Sequence, residues 1–204
     1  PQNYWRNVQL HWNNCQLPSG EWNYSGNNEG GRFSMTCAGV ASLLVTDDYL
    51  NAAALGGRTG IARAPYSTSL QAGLSWLEDN DNSVNILGSP LFYVGYNLYG
   101  IERVGLASGF KEFGAHDWFV ELAYKTLKTQ FPNGAFGRTA DGSDTLIDTA
   151  YVLLFLSRGR APIMMNKLLF NGYWSNRPRD IANLANYTSK QLERPLNWQV
   201  VNLN

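Results

Sequence analysis

The chain has 204 residues, 44% hydrophobic and 13% aromatic, enough for one large domain or for a domain with an appendage. Its 16 basic and 16 acidic side chains cancel, and no basic run or stripe occurs, which argues against a nucleic-acid partner. The richest apolar stretch, residues 91–106, is broken by Asn97, Glu102 and Arg103 and falls short of a bilayer span.

Apolar residues at helical spacing predict six helices paired as three hairpins. The first helix covers 4–14 and the second 34–50, with Ser34 as its cap. The third covers 69–78, with Leu70, Leu74 and Leu77 on one face. The fourth covers 91–107, capped by Ser89 with Pro90 at its first position. The fifth covers 116–129, and the sixth 144–157 with Gly159 at its C-terminal cap. Residues 51–68 and 132–142 read as loops. Beyond 159 the pattern changes, punctuated by Pro162, Pro178 and Pro195. An irregular or extended run is expected at 163–170, a helix at 179–191 and a strand or tail at 198–203. The chain enters helical pattern almost directly after Pro1, with no initiator Met and no signal peptide, and reads as a piece of a longer protein whose compartment is not legible.

Two of the bends share a pattern. Gln16, Gly20 and Trp22 are spaced as Gln130, Gly134 and Phe136 are, 114 residues later. Each set leads into an apolar helix with a small residue near its start, Ala38 and Ala150. The middle hairpin lacks the pattern: an acidic, Asn-rich stretch follows Trp76. Glutamine can satisfy orphan groups at a helix end, glycine permits a turn conformation and a large ring buries apolar area. A hairpin alone leaves an apolar face open, and side-by-side stacking closes such faces while curving the array.

Across residues 1–158 this pattern resembles the repeats of squalene–hopene and oxidosqualene cyclases and of protein prenyltransferase β subunits. In those repeats the glutamine caps a neighbouring helix and the ring stacks on its amide. The stretches LYGIERVGLASGFKEFGAHDWF and RPRDIANLANYTSKQLERPLNWQVV are further similar to a group of bacterial proteins in which such repeats precede an α/β domain of unknown function. The resemblance implies an all-α fold: an incomplete α/α toroid of three helical hairpins over 1–160, with a C-terminal extension or linker over 161–204.

The chemistry is weaker than the architecture. A hopene-type cyclase needs a protonating aspartate in a D-x-D-D motif, which is absent. The nearest acidic pair, Asp47 and Asp48, is read as a solvated helix end, where the helix dipole disfavours negative charge. Asp141, Asp144 and Asp148 are spaced so that Asp144 and Asp148 share a helix face, with Asp144 a natural cap. A prenyltransferase zinc site needs Asp, Cys and His, but neither His11 nor His116 has a Cys at ligand spacing, so no metal and no cofactor are expected. Cys15 and Cys37 face each other across one hairpin and read as free thiols, with a disulfide left open.

The candidate ligand cavity comprises Tyr96, Tyr99, Glu102 and Arg103, together with His116 and Asp117. Glu102 and Arg103 are adjacent, so they cannot point the same way, and a charge facing the core needs a partner. Glu102, Asp144 and Asp148 are the candidates for catalysis. The expected function is a non-catalytic scaffold whose concave surface binds a hydrophobic small molecule, a peptide or a protein. The alternatives are a cyclase- or prenyltransferase-like enzyme acting on an isoprenoid and a carbohydrate-active enzyme with paired carboxylates, Glu102 and Asp148.

Overall fold

The computed structural model describes residues 2–25, 30–54, 66–86, 94–140, 142–158, 161–172, 174–175, 177 and 179–202. These residues form seven helices and four short strands. The helices are α1 (Gln2–Asn14), α2 (Phe33–Ala54), α3 (Thr68–Glu78), α4 (Val94–Ser108), α5 (Trp118–Leu127), α6 (Ser143–Arg158) and α7 (Asp180–Gln191). The strands are β1 (Glu112–Phe113), β2 (His116–Asp117), β3 (Ile163–Leu169) and β4 (Asn197–Asn202). The chain is thus largely helical, with two small sheets beside the helices.

Helix boundaries follow local capping chemistry. Ser67 accepts the Leu70 N–H at 3.3 Å and starts α3. Asp117 accepts the Val120 N–H at 3.1 Å, so α5 begins two residues later than the apolar pattern predicts, after a tight antiparallel β1–β2 turn. The α2 helix runs on to Ala54, which puts Asp47 and Asp48 inside it rather than at its end. The expected caps Ser89, Pro90 and Gly159 lie outside the described residues, as does Asp141.

Helices α2, α4 and α6 form a row: α2 packs on α4, and α4 packs on α6. Helices α1 and α3 both pack on α2. Between them lies one apolar core that includes Trp22, Leu43, Leu70, Leu77, Leu98, Ile101, Phe113, Leu122 and Phe155. Burial of such side chains, at roughly 1.5–3 kcal/mol each, is the main force holding the helices together.

The C-terminal segment is a parallel β3–α7–β4 unit, with Phe110 bridging to Val200 on the far side of β4. A parallel pair needs a crossover, and α7 supplies it. Lys167 on β3 is buried; its ammonium donates to the Arg177 carbonyl at 2.8 Å and pairs with Asp180 at 2.7 Å, locking β3 to the start of α7. Arg179 joins this unit to α2 and α4 through the Asp48 carboxylate at 2.9 Å and the Ala107 carbonyl at 2.8 Å.

Candidate functional site

The two patterned bends have the same hydrogen-bond geometry. The Gln16 amide donates to the Gly20 carbonyl at 3.0 Å, and Gln130 donates to Gly134 at 2.9 Å. Leu17 N–H donates to the Glu21 carbonyl and Phe131 N–H to the Ala135 carbonyl, both at 2.9 Å. Gly20 and Gly134 take φ of +91° and +86°, the left-handed region where a side chain is strained. The residues that follow, Trp22 and Phe136, bury their rings, and their backbone N–H groups donate to the Thr36 and Thr149 hydroxyls at 3.2 and 2.9 Å. Thr36 and Thr149 are therefore the equivalent positions, and the pairing of Ala38 with Ala150 is corrected by one residue. Trp22 and Thr36 are 14 apart while Phe136 and Thr149 are 13 apart, and that single-residue difference hides the register in the sequence. On this register Ala150 corresponds to Cys37.

Among the described residues the first bend also reaches α3. Gln16 also donates to the Ser69 carbonyl in the first turn of α3 at 2.9 Å. The Trp22 indole donates to the Trp12 carbonyl at 2.7 Å and meets the Trp12 ring edge-on, tying the bend back to α1.

Helix α4 divides the predicted cavity residues between two faces. Tyr96 and Tyr99 lie against Tyr151 of α6, with ring centroids 6.0 and 5.4 Å away. Arg103 is exposed and sits 5.9 Å over the Tyr99 ring. Burial pushes the Tyr96 hydroxyl above its ordinary pKa, and Tyr24, Tyr151, Cys37 and Tyr99 add to the rise. Tyrosines from the first bend, α4 and α6 thus gather on one stretch of surface.

Glu102 faces the other way. It is buried and lines a cleft of about 470 Å³ between the end of α4, the β1–β2 turn, the start of α5 and the β3–β4 sheet. Phe110, Trp118, Phe119 and Trp198 supply its aromatic walls, and Lys111, Asp117 and Gln199 its polar groups. Lys111 pairs with Asp117 at 2.9 Å and Glu112 at 3.2 Å, and the Asp117 hydrogen bond pushes the Lys111 pKa up against the opposing effect of burial.

No protein-family model, curated protein or solved structure matches this chain. The site is therefore judged on its own geometry.

That geometry separates the three candidate catalytic carboxylates. Asp148 accepts the Gly95 N–H at 3.1 Å in the first turn of α4 and lines a small cavity of about 70 Å³ with Thr126, Phe136 and Val152. Burial pushes its carboxyl above the usual range; the Gly95 hydrogen bond pulls the other way and the Asp144 charge adds to the rise. Asp144 lies in the first turn of α6 rather than at its cap and pairs at the surface with Arg138 at 3.8 Å. Glu102 belongs to the larger cleft. Among the described residues no group of three or more His, Cys, Asp or Glu side chains is arranged to hold a metal. His116 bridges Asp81 at 3.1 Å and Glu121 at 2.9 Å, clamping the β1–β2 turn between α3's end and α5. Cys15 and Cys37 are both free thiols, and burial pushes the Cys37 thiol strongly up, which makes it a poor nucleophile.

Sequence reasoning missed Tyr151, Trp198 and Lys111. Tyr151 follows Ala150 and was legible only once Thr149 had been aligned with Thr36. Trp198 and Lys111 reach the cleft through the pairing of β4 with residues 109–111, which no local pattern announces.

Proposed function

We propose that this chain is a non-catalytic helical-repeat scaffold, an open arc of the terpenoid cyclase- and prenyltransferase-like α/α toroid, that binds a peptide segment of a protein partner along its row of second helices. The observation that carries this reading is the gathering of Tyr96, Tyr99 and Tyr151 beside Arg103 where α4 meets α6. Tyrosine and arginine dominate binding hot spots because they combine a large, stiff contact area with directed hydrogen bonds. The candidate acids support the same reading, since Asp148 serves as the N-terminal cap of α4 and Asp144 as a surface ion pair.

The test is a peptide-display selection against the chain, counter-selected on the Tyr96→Ala/Tyr99→Ala variant. The expected result is a family of peptides held by the parent and released by the variant. Peptides held equally by both would overturn the assignment of this surface.

One observation favours a second reading, a small-molecule enzyme. Glu102 is buried at an aromatic cleft large enough for a small ligand. Turnover of squalene, farnesyl diphosphate or an oligosaccharide by the purified chain, lost in Glu102→Gln, would replace the scaffold reading with this one. A retaining or inverting glycosidase needs two carboxyl groups facing one another across a single site. Glu102 and Asp148 line separate cavities, which leaves the carbohydrate alternative the weaker of the two.

A further inference from the structure

We infer that the outer edge of the third hairpin, the exposed face of α6 beside the Gln130 bend, is a docking site for one more amphipathic α-helical hairpin. This surface adjoins the tyrosine cluster through Tyr151, and the inference rests on the register of the bends rather than on what the tyrosines bind.

It comes from superposing the register of the two patterned bends. With Thr36 equivalent to Thr149, Phe33, Cys37 and Val40 of α2 correspond to Leu146, Ala150 and Leu153 of α6. In the first repeat these positions seat the next hairpin. Phe33 meets Trp76 of α3 at 6.3 Å. A Cβ on Gly73 of α3 would come within 2.7 Å of Val40, and one on Gly100 of α4 within 3.1 Å of Cys37. Val40 and Cys37 are accordingly fully buried. Their counterparts face water: Leu146 is 79% exposed and Leu153 56%, and Ala150 is exposed as well.

The bend itself repeats the contrast. At Gly20 an added Cβ would lie 2.6 Å from the Ala72 carbonyl of α3, whereas around Gly134 there is open space within 4 Å. Gln16 spans from its own loop to Ser69, while Gln130 holds the same loop pose and is exposed. Ile147 and Leu154 extend the apolar face of α6. An apolar face of this size, in the register of an interface already formed elsewhere in the molecule, marks an interaction site rather than scattered surface residues.

The first repeat also states what the occupant must carry. Ser69, Ala72, Gly73 and Trp76 lie at i, i+3, i+4 and i+7, one face of α3. The partner's first helix therefore presents a free-facing carbonyl in its opening turn, two small residues over Gly134 and Leu153, and a large apolar side chain over Leu146.

The experiment uses the full chain and, as probe, a stapled peptide of residues 67–79, its staple on the face opposite Ser69 and Trp76 and its helicity checked by circular dichroism. Binding is followed by fluorescence polarisation up to millimolar peptide. The expected result is saturable binding, weakened about tenfold or more by Leu153→Glu in the chain and less by Gln130→Ala, with Leu168→Glu on β3 leaving it unchanged. Because Leu153 is exposed, its substitution leaves the fold intact, as far-UV circular dichroism verifies. No binding of the helical peptide, or equal binding by Leu153→Glu, would overturn the inference. So would sedimentation equilibrium showing a dimer of the chain that Leu153→Glu dissociates, since the face would then belong to a second copy.

Discussion

The indole of Trp22 occupies the space that a side chain on Gly39 would need: a Cβ there would come within 2.5 Å of the ring. In the other repeat the same pair is Phe136 with Val152, both buried. The larger ring goes with the absent side chain and the smaller ring with the branched one, as close packing under each bend requires.

This compensation is testable by a double-mutant cycle. Gly39→Val alone overpacks the bend and is expected to cost about 2–3 kcal/mol or more. Trp22→Phe alone leaves a void and loses the bond to the Trp12 carbonyl, at about 2 kcal/mol. The double variant should be more stable than the sum predicts by at least about 1 kcal/mol, measured by urea denaturation. Strict additivity would mean that the two positions are not in contact.

The glutamines should differ in weight. Gln16→Ala removes a bond within the loop and another to α3, whereas Gln130→Ala removes only the loop bond, at an exposed site. Gln16→Ala is expected to lower stability by about 1–2 kcal/mol and Gln130→Ala by less than about 0.5 kcal/mol. Thermal unfolding of the two variants side by side checks this, and equal losses would contradict the difference in their surroundings.

Asp148 makes a prediction about pH. Its folded-state carboxyl holds a proton more tightly than it does in the unfolded chain, chiefly because it is buried. This group therefore destabilises the fold as pH rises from the ordinary aspartate value through the raised one, and the loss is complete above it. Asp148→Asn keeps an acceptor for the Gly95 N–H without the charge, so it should flatten that part of the stability–pH curve and match or exceed the parent at neutral pH. Asp148→Ala removes the acceptor and should cost about 1 kcal/mol. Urea titrations between pH 4 and 7 separate the two.

Arg179 ties α7 to the helices through Asp48 and Ala107, beside the backbone bonds that join β4 to residues 109–111. Arg179→Met is expected to raise amide exchange in β3, α7 and β4 while leaving α1, α2 and α3 nearly unchanged. Uniform loss of protection throughout the chain would show instead that the two parts unfold as one.

Much of the helical frame was legible because helix formation is signalled locally. Leu70, Leu74 and Leu77 recur at the helical period, and Asp117 and Ser67 cap by side chains within three residues of the groups they satisfy. The paired bends were legible for the same reason, since Gln16 to Gly20 and Gln130 to Gly134 close within five residues. The site was not. Glu102 and Arg103 are neighbours in the chain, yet successive helical residues point about 100° apart, and only the packing of α2, α6 and the β3–β4 sheet around α4 decides which of them is buried. Asp148 becomes a cap and Asp48 an anchor through Gly95 and Arg179, partners more than fifty residues distant. Sequence alone thus determined most of the helices and the repeat at the bends, which depend on contacts within a few residues. Tertiary structure alone decided which carboxylates are spent on packing, where the tyrosines gather and which apolar face is left bare, because those depend on burial against segments the local pattern does not contain.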